Sequence, residues 1–362
     1  MKPFVPDTLP LENLDWAGLV PLIGKANAAL ARYDGLIQSI PNPDVLLAPL
    51  TTQEAVLSSR IEGTQATLED VLVYEANPKQ TTSRTHDVEE VLNYRAALTY
   101  GVEALRERPF GLNLLRPMHG VLMKGVRGQN KARGEFRRIQ NWIGPPGSTM
   151  ENASHVPPSP ADVIPTLSNL EVYYHSEERD PIVQLAILHA QFEIIHPFLD
   201  GNGRMGRLLV PLFLHDKGLL SGPVFYISAY FEADRPAYYR MLQAISQEGD
   251  WHGWISFFLT AVVSQAERNA AQVRAILKLY GDLKGQIIEL TRSQHAIYVL
   301  DFIFAHPLFS SSDFIEKTGI AKRTALRLLA SLSEAGLLSV AEEGRGTRPT
   351  LFTFRPLLEI VD

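Results

Sequence analysis

Apolar side chains recur three and four positions apart along most of this chain, a period that predicts helices. One such helix covers Leu19 to Tyr33, before a break at PNPDVLLAP. Thr51 and Glu54 have the spacing of a capping box, so QEAVLSSRIE is expected to form a short helix that Gly63 ends. Thr67 and Asp70 open another, LEDVLVYEA, which gives way to the polar loop NPKQTTSRTHD. Helical spacing returns in VEEVLNYRAALTYGVEAL, NLLRPMHGVLMKGV, IPTLSNLEVYYHS and DPIVQLAILHAQFEII, the last with Asp180 as N-cap and Pro181 in the first turn. Further helices are expected to about Lys217, around AYYRMLQAI, and along WHGWISFFLTAVVSQAERNAAQV. FRRIQNWIG differs: short and bounded by GPPG, it suits a strand and turn, the expected hairpin of the middle of the chain. SQHAIYVLDFIFAH, SSSDFIEKTG and KRTALRLLASLSEAG then predict three helices, and LLSVAEEGRGTRPTLFTF two strands around a turn rich in Gly and Arg. Helix, helix-turn-helix and hairpin is the order of a winged helix. The expected fold is mainly α, with regions at 1–85, 86–285 and 286–362.

Composition narrows the chemistry. At 362 residues, 45% hydrophobic and 20% charged, the chain can bury two or three domains. Its net charge of -6 argues against a surface shaped throughout for nucleic acid. With no cysteine, disulfides, thiolate catalysis and Cys-ligated metals are excluded. The amino terminus lacks a basic start with an apolar run, and no apolar segment approaches the roughly 20 residues that span a bilayer. A cytoplasmic protein without membrane association is expected.

The densest chemistry lies in HPFLDGNGRMGR, residues 196–207. The glycines allow positive backbone angles, and Gly203 leads into a helix whose first amides can converge on an anion. Arg204 and Arg207, one turn apart, are placed to reach further phosphate oxygens. Asp200 is placed to ligate Mg²⁺, a hard cation that takes one or two carboxylates and phosphate oxygens. His196, with a reference pKa of about 6.5, can accept a proton near neutral pH. These are the parts of a nucleotidyl or phosphoryl transfer site.

This stretch resembles the signature of Fic-domain proteins, His-Pro-Phe-x-Asp/Glu-Gly-Asn-Gly-Arg-x-x-Arg, and matches it at His196, Pro197, Phe198, Asp200, Gly201, Asn202, Gly203, Arg204 and Arg207. AILHAQFEIIHPF, YYRML and DWHGWISFFL share the family's flavour, so the resemblance covers roughly residues 50–265. It implies a Fic-type helical core at 86–285 and transfer of AMP from ATP to a Tyr, Thr or Ser hydroxyl of a protein, itself included, with release of pyrophosphate. His196 would be the general base and Asp200 the Mg²⁺ ligand. The amides of Gly201, Asn202 and Gly203 would receive phosphate oxygens, with Arg204 and Arg207 on the β and γ phosphates. Tyr238 and Tyr239 are candidates for holding the base.

Ser58-Ser59-Arg60-Ile61-Glu62-Gly63 likewise matches the Ser/Thr-x-x-x-Glu-Gly/Asn inhibitory pattern of autoinhibited Fic proteins. The resemblance implies that Glu62, with Ser58, withdraws Arg207 from the γ-phosphate. A carboxylate in the last turn of a helix also opposes the helix dipole unless a cation answers it. Residues 136–147 occupy the position of the family's flap, where Ile139 and Asn141 would align an extended segment of the target by main-chain pairing.

The tail offers Lys322, Arg323, Arg345 and Arg348 as phosphate contacts to DNA. Residues 291–362 nevertheless hold 8 Lys+Arg and 8 Asp+Glu, so 8 - 8 = 0 net charge. Association with a target or a second copy, giving a homodimer, is therefore expected ahead of DNA binding. Two other readings stay open: a transcriptional regulator whose Fic domain senses nucleotide, and an enzyme of this class that removes AMP or uses another nucleotide.

Overall fold

The computed structural model describes residues 2–78, 83–125, 131–145, 147–344 and 348–362. Pro146 and Arg345 lie outside the described residues. Four helices form the N-terminal part: α1 (Trp16–Gln38), α2 (Pro43–Leu46), α3 (Ala48–Ile61) and α4 (Leu68–Ala76). Thr67 and Asp70 make the expected capping box of α4. The pair Thr51 and Glu54 does not cap α3. Pro49 sits in the first turn, where its missing N–H costs nothing, and the helix starts at Ala48. Thr51 Oγ1 donates to Leu47 O, and Glu54 turns into the core, where its carboxyl accepts from the N–H and hydroxyl of Ser228. Gly63 follows α3 with φ 99°, a conformation that favours glycine.

The central part holds α5 (Thr85–Glu107), α6 (Leu112–Leu122), α7 (Val163–His175), α8 (Pro181–Ile195), α9 (Asn202–Asp216), α10 (Ser228–Ala233), α11 (Arg235–Glu248) and α12 (Trp251–Thr291). Helix α8 is the core of this part. Asp180 caps it by accepting from the amides of Ile182 and Val183, and every residue from Ile182 to Ile195 is buried. A helix apolar nearly all round has no solvent face to prefer, so α7, α9, α11 and α12 surround it. Trp254 of α12 donates its indole N–H to Ala186 O, pinning the two.

No hairpin forms at residues 136–147 among the described residues; a single bridge pairs Ile143 with His155. The reason lies in side chains that outcompete strand pairing. Arg137, Gln140 and Asn141 all turn to main-chain carbonyls of neighbouring loops.

The tail comprises α13 (Ala296–Ala305), β1 (Leu308–Ser310), α14 (Ser311–Thr318), α15 (Lys322–Glu334), β2 (Ser339–Glu342), β3 (Leu351–Thr353) and α16 (Arg355–Val361). Its sheet has three strands in the order β1-β3-β2, antiparallel, with Leu308 opposite Thr353 and Ser339 also opposite Thr353. Strand β1, three residues long, carries no alternation a sequence reading could detect. Helix α12 runs unbroken past residue 285, and α13, β1 and α16 pack against α2, α4 and α3, so tail and N-terminal helices share one core. Among the described residues no helix is long and apolar enough to cross a membrane.

Candidate active site

His196 ends α8 with φ 47° and ψ 60°, a left-handed conformation that a non-glycine residue adopts only when its surroundings hold it there. The hold is visible. Arg137 donates from Nε to His196 O at 2.9 Å and from its terminal nitrogens to Pro158 O, Ile195 O and Ile139 O. Asn141 Nδ2 donates to Phe198 O at 3.1 Å, and His155 Nε2 lies 3.0 Å from Ile194 O. His196 Nδ1 lies 3.3 Å from Glu193 O, a contact that keeps the ring proton on Nδ1 and leaves Nε2 as the lone-pair nitrogen. Burial lowers the pKa of the imidazole to about 4, so it is neutral at pH 7.

Gly201 begins α9 with φ 75°, and a Cβ there would meet Met123 Sδ at 2.8 Å. Glycine is therefore required twice over. Past it, the first-turn amides of α9 have no intrahelical acceptor. The Gly201 amide is already engaged by Asp200 Oδ1 at 2.8 Å, and Asp200 Oδ2 accepts from Lys131 Nζ at 3.1 Å. Asn202 turns its side chain inward: Oδ1 accepts from Phe198 N and Nδ2 donates to Phe198 O, closing the loop on itself. His119 supports the same loop, stacked on Phe198 with ring centroids 3.8 Å apart. Its Nδ1 accepts from Gly134 N, so the proton sits on Nε2 and is donated to Asp200 O.

The two arginines diverge. Arg204 runs toward α5, where it pairs with Glu90 Oε2 at 2.9 Å and is buried; it does not line the cavity described below. Their spacing puts both on one side of α9, but the side chains follow partners on different helices. Arg207 runs toward α3. Its Nε donates to Ser58 Oγ at 2.9 Å, and a terminal nitrogen donates to Ser58 O at 2.9 Å and to Glu62 Oε1 at 2.7 Å. Arg207 is fully buried while the Glu62 side chain is 34% exposed, so the pair sits where a cavity meets the core.

That cavity, of about 550 Å³, is lined by His196, Gly203, Arg207, Glu62, Glu193 and Tyr239 among others. Tyr238 and Tyr239 both reach it, differently. Tyr238 is buried and shares a hydrogen bond with His189 Nε2, whereas Tyr239 is 43% exposed at the rim. Ile139 is exposed on the loop outside, beside Trp142, but Asn141 points inward and serves the His196 loop. Among the described residues no group of three or more His, Cys, Asp or Glu is gathered for a metal.

Arg137, His119 and Glu193 are the residues that sequence reasoning missed. An arginine among the polar residues of FRRIQNW gives no sign that it donates to a carbonyl 59 positions away. Glu193 does carry a signal: it is the one carboxylate within a mostly apolar helix. Arg137→Met should lower stability by about 2–3 kcal/mol, the loss expected when hydrogen bonds from a buried charged donor are removed. Arg137→Lys should recover little of it, because an ammonium cannot replace a fork of donors. Thermal denaturation of the two variants checks both expectations.

A neutral histidine, the first turn of a helix and a buried arginine thus line one cavity. Residues 20–103 match the family described as Fic/DOC family N-terminal, and residues 109–214 match the Fic/DOC family. Together these segments cover more than half of the chain, and the protein belongs to the Fic/DOC family. Curated relatives are called protein adenylyltransferase Fic: that of Drosophila grimshawi is 34% identical over 127 residues, 34% of this chain, and that of Drosophila virilis 30% over 176 residues, 48% of this chain. The matches span only 23% and 32% of those relatives' own lengths. Among solved structures, a Fic family protein from Desulfovibrio desulfuricans aligns over 98% of both chains at 22% identity, with a TM-score of 0.59. Fic-1 from C. elegans aligns over 73% of this chain and 75% of its own at 19% identity, with a TM-score of 0.55.

Proposed function

We propose that the protein transfers AMP from ATP to a Tyr, Thr or Ser hydroxyl of a protein and that its own helix α3 holds the reaction in check. The observation that carries this reading is that His196, whose Nε2 keeps its lone pair, and Gly203 in the first turn of α9 line one cavity. His196 takes the proton of the acceptor hydroxyl. The hydroxyl oxygen bonds to the α-phosphorus, the bond to the bridging oxygen breaks, and pyrophosphate leaves with that electron pair. The amides of Asn202 and Gly203 receive phosphate charge where it develops, without reorganising to do so. Arg207, once free of Glu62, holds the γ-phosphate, and Arg204 joins on the β-phosphate if it leaves Glu90.

Asp200 suits a cation that needs one carboxylate and draws its remaining ligands from phosphate and water. Lys131, its present partner, is more than half exposed and gives up the contact at little cost. Asp200 would thus hold Mg²⁺, which when bound neutralises phosphate charge. ATP labelled in turn at the α and γ phosphorus tests the reading. Label retained on protein from the α position alone supports it; label from the γ position would make the enzyme a kinase.

The loop carrying Ile139 and Trp142 is the proposed dock for the acceptor, through exposed apolar side chains and not the main-chain ladder of a hairpin. Ile139→Asp is expected to cut self-modification about tenfold with ATP affinity unchanged, as read by intact-protein mass spectrometry and calorimetry. A loss of ATP affinity would relocate its role. We read the tail as a winged helix. Lys322 and Arg323 are exposed on α15, but the neutral tail favours a protein partner or a second copy of the chain over DNA. Retention on duplex DNA that falls steeply with salt would reverse that order.

A further inference from the structure

Glu193 sits on α8, three residues before His196, and lines the same cavity, where among the described residues it makes no side-chain hydrogen bond through Oε1. The residue is 8% exposed, and its Oε1 is fully buried with no hydrogen bond. Such an atom costs stability unless something answers it, so it calls for a ligand. The opposing helix makes room for it. A Cβ at position 206 would lie 2.1 Å from Glu193 Oε1, and Gly206 stands in the interior of α9, where glycine costs about 1 kcal/mol relative to alanine. Gly203, one turn earlier on the same face, gives the same clearance to Glu62 Oε1, also 2.1 Å from a Cβ. Two carboxyls thus occupy two successive glycine recesses along α9, flanking Arg207. Glu62 accepts one hydrogen bond from the arginine and Ser58 the other two; Glu193 takes none of them.

We propose that Glu193 is a nucleotide-contact residue whose neutral carboxyl donates a hydrogen bond to a phosphate oxygen brought to Arg207 and whose ionised form repels that oxygen. The inference rests on the ATP-site reading above. The titratable and charged groups around Glu193 are Arg207 of α9, Glu62 at the end of α3, Tyr238 and Tyr239 of α11, His155 across the cavity and His196 on its own segment. Burial raises its pKa to about 8, against the opposing pull of Arg207 and with a further push from Glu62. At pH 7 the carboxyl therefore carries a proton to donate. Among the described residues no hydrogen-bond partner answers Glu193 Oε1, and an anionic phosphate chain is the acceptor that would take its proton.

The test is calorimetry of the α,β-methylene analogue of ATP, which cannot release pyrophosphate, from pH 7 to 9. The parent is the full chain carrying Glu62→Gly, so that Glu62 neither occupies Arg207 nor titrates, and AMP, which lacks the β and γ phosphates, serves as control. The parent should lose at least about tenfold in affinity for the analogue across that range, as the Glu193 carboxyl, raised by burial but without the push from Glu62, ionises, while its affinity for AMP stays flat. Adding Glu193→Gln should keep affinity at pH 7 within about threefold and remove the slope, and Glu193→Ala should weaken binding about tenfold already at pH 7. Equal slopes for parent and Glu193→Gln, or an equal slope for AMP, overturn the proposal while AMP transfer stands. Absence of adenine-nucleotide binding in every variant overturns the transfer reading and this one with it. Should Glu193→Gln not fold, the parent's contrast between the analogue and AMP decides the matter alone.

Discussion

Glu62→Gly should raise AMP incorporation at least about tenfold over wild type at saturating ATP. The carboxylate holds a buried arginine through a hydrogen bond of 2.7 Å, and a bond between charged groups contributes about 1.5–3 kcal/mol when buried. One third of the Glu62 side chain is exposed, so solvent screening leaves the lower end of that range, about a tenfold effect. The contacts from Ser58 to Arg207 survive the substitution, and the arginine stays ordered while its outer nitrogen becomes free for phosphate. Intact-protein mass spectrometry after incubation with ATP and Mg²⁺ reads the gain as an AMP-sized adduct. Equal adduct in wild type and variant at saturating ATP would remove the brake from the account and leave the ion pair a structural contact.

The opposite result is expected when His196→Ala is added to Glu62→Gly: incorporation should fall by about 10²–10⁴-fold, the usual contribution of a positioned general base. ATP affinity should change little, because in the proposed reaction the imidazole meets the acceptor hydroxyl and not the phosphate chain. The pH profile of the Glu62→Gly protein carries the same information. A base with its pKa lowered to about 4 works at full strength at neutral pH and loses function as pH falls toward 4, so incorporation should stay flat from pH 6 to 7.5. A histidine at its ordinary pKa of about 6.5 would instead give a falling limb within that range. Such a limb would show that the ring is more solvated during turnover than in this structure.

Much of the fold could be read from periodicity, helped where helices carry their own start or stop signals. Asp180 before Pro181, the Thr67 and Asp70 box, and Gly63 and Gly319 as terminators are all local chemistry. The misreadings share one cause. Glu54 has capping spacing but a buried destination at Ser228, 174 residues away, and residues 136–147 are short and bounded by GPPG like a strand and turn while Arg137 and Asn141 answer carbonyls of a loop near residue 196. In both, a partner distant in sequence outcompeted the local pattern. Strand β1 was lost for a different reason, since three buried residues have no period.

The candidate site divides along the same line. The sequence by itself determined that a histidine, a carboxylate, two flexible glycines and two arginines would meet within twelve residues, because a loop opening into a helix can be recognised from its own composition. Only the tertiary structure decided what those residues face. Arg204 and Arg207, three apart, point to Glu90 on α5 and to Ser58 and Glu62 on α3, and Glu193 gains its recess from Gly206 on another helix. Backbone conformation follows from near neighbours, but the direction of a buried charged side chain is set by whichever counter-charge or donor the packing brings within about 3 Å, and that choice is written across the whole chain.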